Sequence, residues 1–195
     1  TLHRAYDEAT AVLAGDALLT FAFEILADPE THERARVRIE LVRRLALAAG
    51  AHGMVGGQII DLMSEGKALD MLGVTRLQQL KTGALISFCC EAGAVLGRAS
   101  PEVLHALRAY AHDMGLAYQI ADDLLDAEGD AGMMGKAAGK DARAGKATFV
   151  SLLGVARARA QAGMLSEQAI QHLDLFDEKA DLLRQAARFV ITRRN

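Results

Sequence analysis

Apolar residues recur along this chain every three or four positions rather than every second one, the period of helices that bury one face. His3 to Leu26 carries Ala11, Leu18, Ala22 and Leu26 in that rhythm and meets Asp28-Pro29, which predicts a first long helix with a defined stop. A second periodic region runs from Thr31 to Glu65 through Ile39, Leu41, Leu45 and Ala48, enters the small-residue patch Gly53-Met-Val-Gly-Gly57, and ends at Gly66. Gly56 and Gly57 would each weaken an isolated helix by roughly 1 kcal/mol relative to Ala. Their position therefore argues for close approach of another backbone. Val74 to Gly97 predicts a further helix with Thr82-Gly83 inside it. Ser100-Pro101 is a start signal, with proline at the first helical position, and Glu128-Gly129-Asp130 punctuates the end of the helix it opens. Residues 129–146 hold Gly129, Gly132, Gly135, Gly139 and Gly145 and read as one long irregular loop. Helical patterning resumes over Thr148–Gly163 and again over Ser166–Arg194, with Ser166 as a candidate N-cap.

Composition supports the same class. The chain has 37 Ala and 27 Leu, a third of its length, against 18 Val plus Ile and 2 Pro. Ala and Leu lead the helix scale, and the β-branched residues that suit strands are sparse. The expected fold is an all-α domain of about six helices over residues 1–195. Hydrophobic residues at 51% and charged residues at 24% exclude a disordered chain. A net charge of −3 excludes a general nucleic-acid binder. No uninterrupted apolar run reaches the about 18 residues that cross a bilayer; the longest, Ala84 to Leu96, is broken by Glu91, so no membrane span is expected. Cys89 and Cys90 are adjacent within that stretch and read as reduced core residues of a cytoplasmic protein. Thr1 follows no start Met, and the chain reads as though cut from something longer.

Candidate chemistry concentrates at Asp122, Asp123 and Asp126. Spacings of i,i+3 and i,i+4 put these carboxylates on one helix face, after the nearly wholly apolar approach Met114-Gly-Leu-Ala-Tyr-Gln-Ile-Ala121. Near a helix C-terminus the macrodipole opposes each anion by about 0.3–1 kcal/mol, and the like charges repel. A solvated acidic turn is one account of the cluster. The other is a cation site, because the next segment supplies Lys136, Lys140, Arg143 and Lys146 against a single Asp141. Carboxylates followed by a glycine-rich basic loop suit Mg²⁺ together with a phosphorylated ligand, since Mg²⁺ binds through a few carboxylates plus substrate phosphates. Zinc fits poorly, with no His or Cys pair at ligand spacing. The six histidines read as surface or satisfied core residues. Gln58 and Asp61 share a face after Gly56-Gly57, Lys81-Thr82 places an ammonium and a hydroxyl within an apolar helix, and Gln119 lies one turn before the aspartates. An internal polar network for Gln58 and Asp61, and a snorkelling surface lysine for Lys81, remain the plain alternatives.

Four motifs now stand in order: Gly53-Met-Val-Gly-Gly-Gln-Ile-Ile-Asp61, Lys81-Thr-Gly-Ala-Leu85, Tyr118-Gln-Ile-Ala-Asp-Asp-Leu-Leu-Asp126 and Gly135-Lys…Gly139-Lys-Asp…Gly145-Lys-Ala-Thr148. In this order the chain resembles the trans-isoprenyl diphosphate synthases, most of all the bacterial farnesyl diphosphate (geranyl transferase) type, and the resemblance runs from the first residue to the last. It implies an all-helical bundle around a central cavity. It implies head-to-tail condensation of an allylic diphosphate with isopentenyl diphosphate, and a homodimer. Asp122, Asp123 and Asp126 match the second aspartate-rich motif, which holds Mg²⁺ against the allylic diphosphate. Lys81 and Lys136 match diphosphate-binding lysines, and Lys146 a third basic position. Thr82, Gln58 and Gln119 match polar positions facing the reacting carbons or the leaving group. Arg193-Arg194 resembles the basic C-terminal tail. The first aspartate-rich motif of that family is not in this sequence, so the chain is expected to be the C-terminal two-thirds of a longer synthase. The competing readings are a noncatalytic subunit of a heteromeric prenyl synthase, a terpene cyclase, and a structural helical adaptor that binds no diphosphate.

Overall fold

The computed structural model describes residues 2–67, 69–132 and 147–193, with the backbone alone over 129–132. Helices account for nearly all of it, and no strand occurs among the described residues, as the dominance of Ala and Leu requires. Two compact units divide the chain at Ala46 and Leu47.

The first unit holds α1 (Leu2–Ala5), α2 (Glu8–Ala27) and most of α3 (Ala35–Ala49). One helix was expected over His3–Leu26; there are two. Asp7 adopts extended backbone and caps α2, its Oδ1 accepting from the Thr10 N–H at 2.7 Å and its Oδ2 from the Thr10 hydroxyl at 2.8 Å. A local side-chain acceptor thus interrupts the helix and starts a new one. No residue of α2 is buried. By length and composition α2 and the span Ala35–Met63 are each apolar enough to cross a membrane, a test that core helices and signal sequences also pass. The expectation of no such segment counted uninterrupted runs, whereas α2 spreads its apolar residues around Glu8, Asp16 and Glu24.

The second unit holds α4 (Met54–Met63), α5 (Met71–Gln78), a π-helical turn (Gln79–Gly83), α6 (Ala84–Leu96), α7 (Pro101–Gly132), α8 (Phe149–Leu153), α9 (Val155–Gln171) and α10 (Asp181–Thr192). The Thr31–Glu65 region is broken by the turn between α3 and α4, and Gly66 takes a φ of +72° in the turn after α4. Ser100 caps α7 through the Val103 N–H, and Pro101 opens that helix as expected. The expected stop at Glu128 does not occur, since α7 continues to Gly132.

The long helix α7 is the axis of this unit, packed against α6, α9 and α10. One core layer gathers Leu116, Ala117, Ile120, Ala121 and Leu124 of α7 with Phe149, Ala158, Ala162, Leu165 and Val190. A second gathers Tyr110 and Ala111 with Ala169, Leu173 and Ala187. Alanines at the contacts let helix axes come close, and the large side chains fill the remaining space. Tyr110 is fully buried, its hydroxyl donating to the Leu183 carbonyl at 2.8 Å, and burial pushes that phenol up to about 12. Ser166 is no helix cap. It lies buried inside α9, which runs unbroken through Gly163, and its hydroxyl donates to the Ala187 carbonyl at 2.9 Å. The cap in this region is Thr148, which exchanges hydrogen bonds with Ser151 at the start of α8.

Candidate active site

The π-helical turn carries Lys81 and Thr82, and its neighbours fix where they stand. Single π turns inside an α-helix recur at functional positions because they shift the register of the side chains that follow. Here α4 lies directly on the turn. A Cβ at Gly57 would come within 2.3 Å of the Lys81 nitrogen and 2.6 Å of the Lys81 Cα, so only glycine allows the two backbones to meet. One turn further along α4, Asp61 is buried and accepts from Lys81 Nζ at 2.7 Å. The Asp61 side chain is 10% exposed and that of Lys81 35%. A carboxylate at that depth requires a cation or several donors, and Lys81 supplies the charge. On its other side the turn is held through Gln79, which contacts His112 at 2.7 Å; His112 and His172 both bond Asp113, at 2.9 and 3.0 Å.

The turn is also pinned to α7. A Cβ at Gly115 would touch the Gly83 Cα at 3.4 Å, and one turn on the Thr82 hydroxyl donates to Gln119 Oε1 at 2.6 Å. Gln119 is itself buried. Three and four residues further along the same helix stand Asp122 and Asp123, so the Thr82–Gln119 bond sets the lysine turn beside the acidic segment.

The three aspartates part company. Asp123 is buried, and its Oδ2 accepts from the Phe149 N–H at 2.8 Å, fixing the start of α8 on α7. Asp122 is 58% exposed and pairs with Arg193 Nη2 at 2.9 Å. Asp126 is half-buried, one turn beyond Asp122. The sequence placed this cluster at a helix end; α7 in fact continues six residues past Asp126, so the dipole penalty, confined to the last turn, falls away. Mutual repulsion among the carboxylates remains to be balanced.

Among the expected site residues, Lys81, Thr82 and Gln119 belong to this hydrogen-bonded frame together with Asp61, and Asp122 follows Gln119 by three residues on α7, paired with Arg193. Gln58 is not in the frame. The buried stripe of α4 is Gly57 and Asp61, at i,i+4, and Gln58 lies on the exposed side. Lys136 and Lys146 fall outside the described residues. The role of Arg193 as partner of Asp122 was not visible in the sequence, where it stood only as part of a basic tail.

The sequence model of the polyprenyl synthetase family matches residues 1–187. The chain belongs to the polyprenyl synthetase family. It is 43% identical to a dimethylallyltranstransferase of Fischerella ambigua over 99% of its length and 56% of that protein. Among solved structures it is similar to an FPP/GFPP synthase from Zymomonas mobilis, with 53% identity and a TM-score of 0.84 over 97% of this chain and 64% of that one. It is also similar to a geranyltransferase from Helicobacter pylori complexed with magnesium and isoprenyl diphosphate, at 34% identity and a TM-score of 0.78 over 98% and 62% of the two chains. The chain thus spans less than two thirds of each of these polyprenyl synthetases.

No group of three His, Cys, Asp or Glu side chains among the described residues converges as a cation cage. Asp123 is buried with its Oδ2 accepting from Phe149, whereas Asp122, which pairs with Arg193 through Oδ1, and Asp126, one turn along α7, are the more exposed carboxylates. Two hard oxygen donors with room for water fit Mg²⁺, which takes one or two carboxylates plus phosphate oxygens rather than an all-protein cage.

Proposed function

We propose that this chain is the C-terminal portion of a prenyltransferase that condenses an allylic diphosphate, dimethylallyl or geranyl, with isopentenyl diphosphate to give farnesyl or geranyl diphosphate and pyrophosphate. The observation that carries this reading is the frame in which α4 and α7 grip one lysine-bearing turn beside Asp122 and Asp126. The similarity to magnesium- and isoprenyl-diphosphate-bound geranyltransferase supports it.

Breaking the allylic carbon–oxygen bond leaves a pyrophosphate and a carbocation, so the site must hold anionic oxygens firmly and offer the cation no nucleophile. Lys81, fixed in position by Asp61, binds the diphosphate as a point charge. Lys136 and Lys146 would add further cations to the same group. Asp122 and Asp126 would hold Mg²⁺, which when bound neutralises charge on the departing pyrophosphate. The Thr82 hydroxyl and the Gln119 amide, bonded to each other, present oxygen dipoles toward developing positive charge and are too weakly nucleophilic to capture it. Gln58, on the exposed side of α4, serves the same chemistry only by contact with a bound substrate. The unburied apolar helix α2 fits the surface by which two copies pair as a homodimer, and a cytoplasmic location belongs to the same reading.

The test is condensation of labelled isopentenyl diphosphate by the whole protein. Turnover with Mg²⁺ is expected, and Asp122→Asn should lower kcat by on the order of 10²-fold. Undiminished turnover in that variant would refute the assignment.

A further inference from the structure

Arg193, just past α10, occupies the first aspartate of the acidic segment. Arg193 leaves the end of α10 with extended backbone and lays its guanidinium on the Tyr118 ring, 4.1 Å from the centroid, with Nη2 on Asp122 Oδ1 at 2.9 Å. The side chain is only 13% exposed. Its Nε is buried with no hydrogen-bond partner among the described residues. An arginine meeting a structural carboxylate commonly uses its fork to make two bonds, which is where its advantage over lysine lies. Among the described residues this one makes a single bond to the carboxylate, and its buried Nε has no acceptor. The arrangement holds the arginine in place while forfeiting part of its bonding capacity, as suits a contact that is made and broken.

We propose that Arg193 is the resident counter-ion of Asp122, a latch at the end of α10 that a divalent cation must displace to reach that carboxylate. The inference rests on the reading of Asp122 as a metal ligand and adds to it a competitor within the chain. Guanidinium and metal cannot share Asp122 Oδ1 without strong like-charge repulsion, because a bound Mg²⁺ stands about 2.1 Å from its oxygens. Asp122 stays 58% exposed, so the ion approaches from solvent while Arg193 holds the protein side. Departure of Arg193 also lifts it from Tyr118 and frees the end of α10. Metal loading and docking of Arg193 therefore oppose each other, and by linkage each weakens the other by the same factor.

The experiment is a titration of the whole protein with Mn²⁺, the free ion counted by electron paramagnetic resonance with no substrate present. Arg193→Gln should tighten Mn²⁺ binding about three- to ten-fold, the size set by one part-exposed ion pair and one cation–π contact. Asp122→Asn should weaken it, and in that background Arg193→Gln should have no further effect. Addition of Mn²⁺ should speed hydrogen exchange at the end of α10 in the parent protein, and Arg193→Gln should show the faster exchange without metal. Unchanged or weaker Mn²⁺ binding in Arg193→Gln overturns the latch, as does equal tightening with Asp122 already removed. If Asp122→Asn leaves Mn²⁺ binding intact, the metal reading of Asp122 fails first and the latch falls with it.

Discussion

Replacing Gly57 by Ala probes the contact on which the site is built. The added methyl would lie 2.3 Å from the Lys81 nitrogen, 2.6 Å from its Cα and 2.9 Å from the Leu80 carbonyl carbon, where ordinary contacts begin near 3.4 Å. About 1 Å of separation must therefore open between α4 and the π-helical turn. All three neighbours are backbone, so no side chain can rotate away, and the penalty belongs at the upper end of the about 1–3 kcal/mol of overpacking. Against this stands the gain of up to about 1 kcal/mol from Ala over Gly in a helix. The net expectation is a loss of about 2 kcal/mol and a fall in Tm of about 4–8 °C, read by circular dichroism at 222 nm. Because the shift falls on Lys81, kcat should drop on the order of 10²-fold in the condensation assay. Gly163→Ala is the matched control. It lies within α9 with nothing within 4 Å of the added methyl, so it should stabilise by about 0.5–1 kcal/mol. If Gly57→Ala raises Tm as Gly163→Ala does, the two backbones are not in contact and the frame described for Lys81 is wrong.

Arg184 donates to the carbonyls of Leu173, Phe176 and Asp177 at 2.7, 2.8 and 3.0 Å, so Arg184→Met should cost about 2–3 kcal/mol and lower Tm by about 4–12 °C; a change under 2 °C would contradict this. Cys89 is exposed, whereas burial pushes the neighbouring Cys90 thiol up to about 11, leaving about 10⁻³ of it as thiolate at pH 8. Maleimide should label Cys89 rapidly and Cys90 far more slowly by mass spectrometry, and equal rates would refute the burial. Hydrogen bonds from Arg43 and Arg44 hold the Glu40 carboxyl at about 2, below its ordinary 4.5. The stabilisation this gives α3 is full above about pH 4.5 and is lost as pH falls through 2, so the Tm gap between parent and Glu40→Gln should close over that window.

The sequence made some features plain because their signals are local. Ala and Leu declared the helices, Ser100-Pro101 marked the start of α7, and two glycines inside a periodic stretch announced the backbone contact that Gly57 makes with Lys81. Thr82 and Gln119 were named together, and the structure bonds them to each other, with Lys81 on the same turn paired with Asp61. What stayed hidden depended on partners distant in the chain. Ser166 matched an N-cap until Ala187, 21 residues away, took its hydroxyl. Glu128-Gly129-Asp130 suggested a stop, yet α7 continues to Gly132. The different surroundings of Asp122 and Asp123 come from Arg193 and Phe149, neither of which spacing on one helix can reveal. Gln58 was paired with Asp61 by i,i+3 spacing, but the face of α4 that meets the turn is set by Gly57.

A crystal of the whole protein grown with Mn²⁺ and a nonhydrolysable allylic diphosphate would bear on all of this at once. The anomalous signal should place an ion about 2.1 Å from oxygens of Asp122 and Asp126, with diphosphate oxygens between it and Lys81 and with Arg193 withdrawn. An ion bound elsewhere, or a diphosphate out of reach of Lys81 while Arg193 still sits on Asp122, would contradict the account.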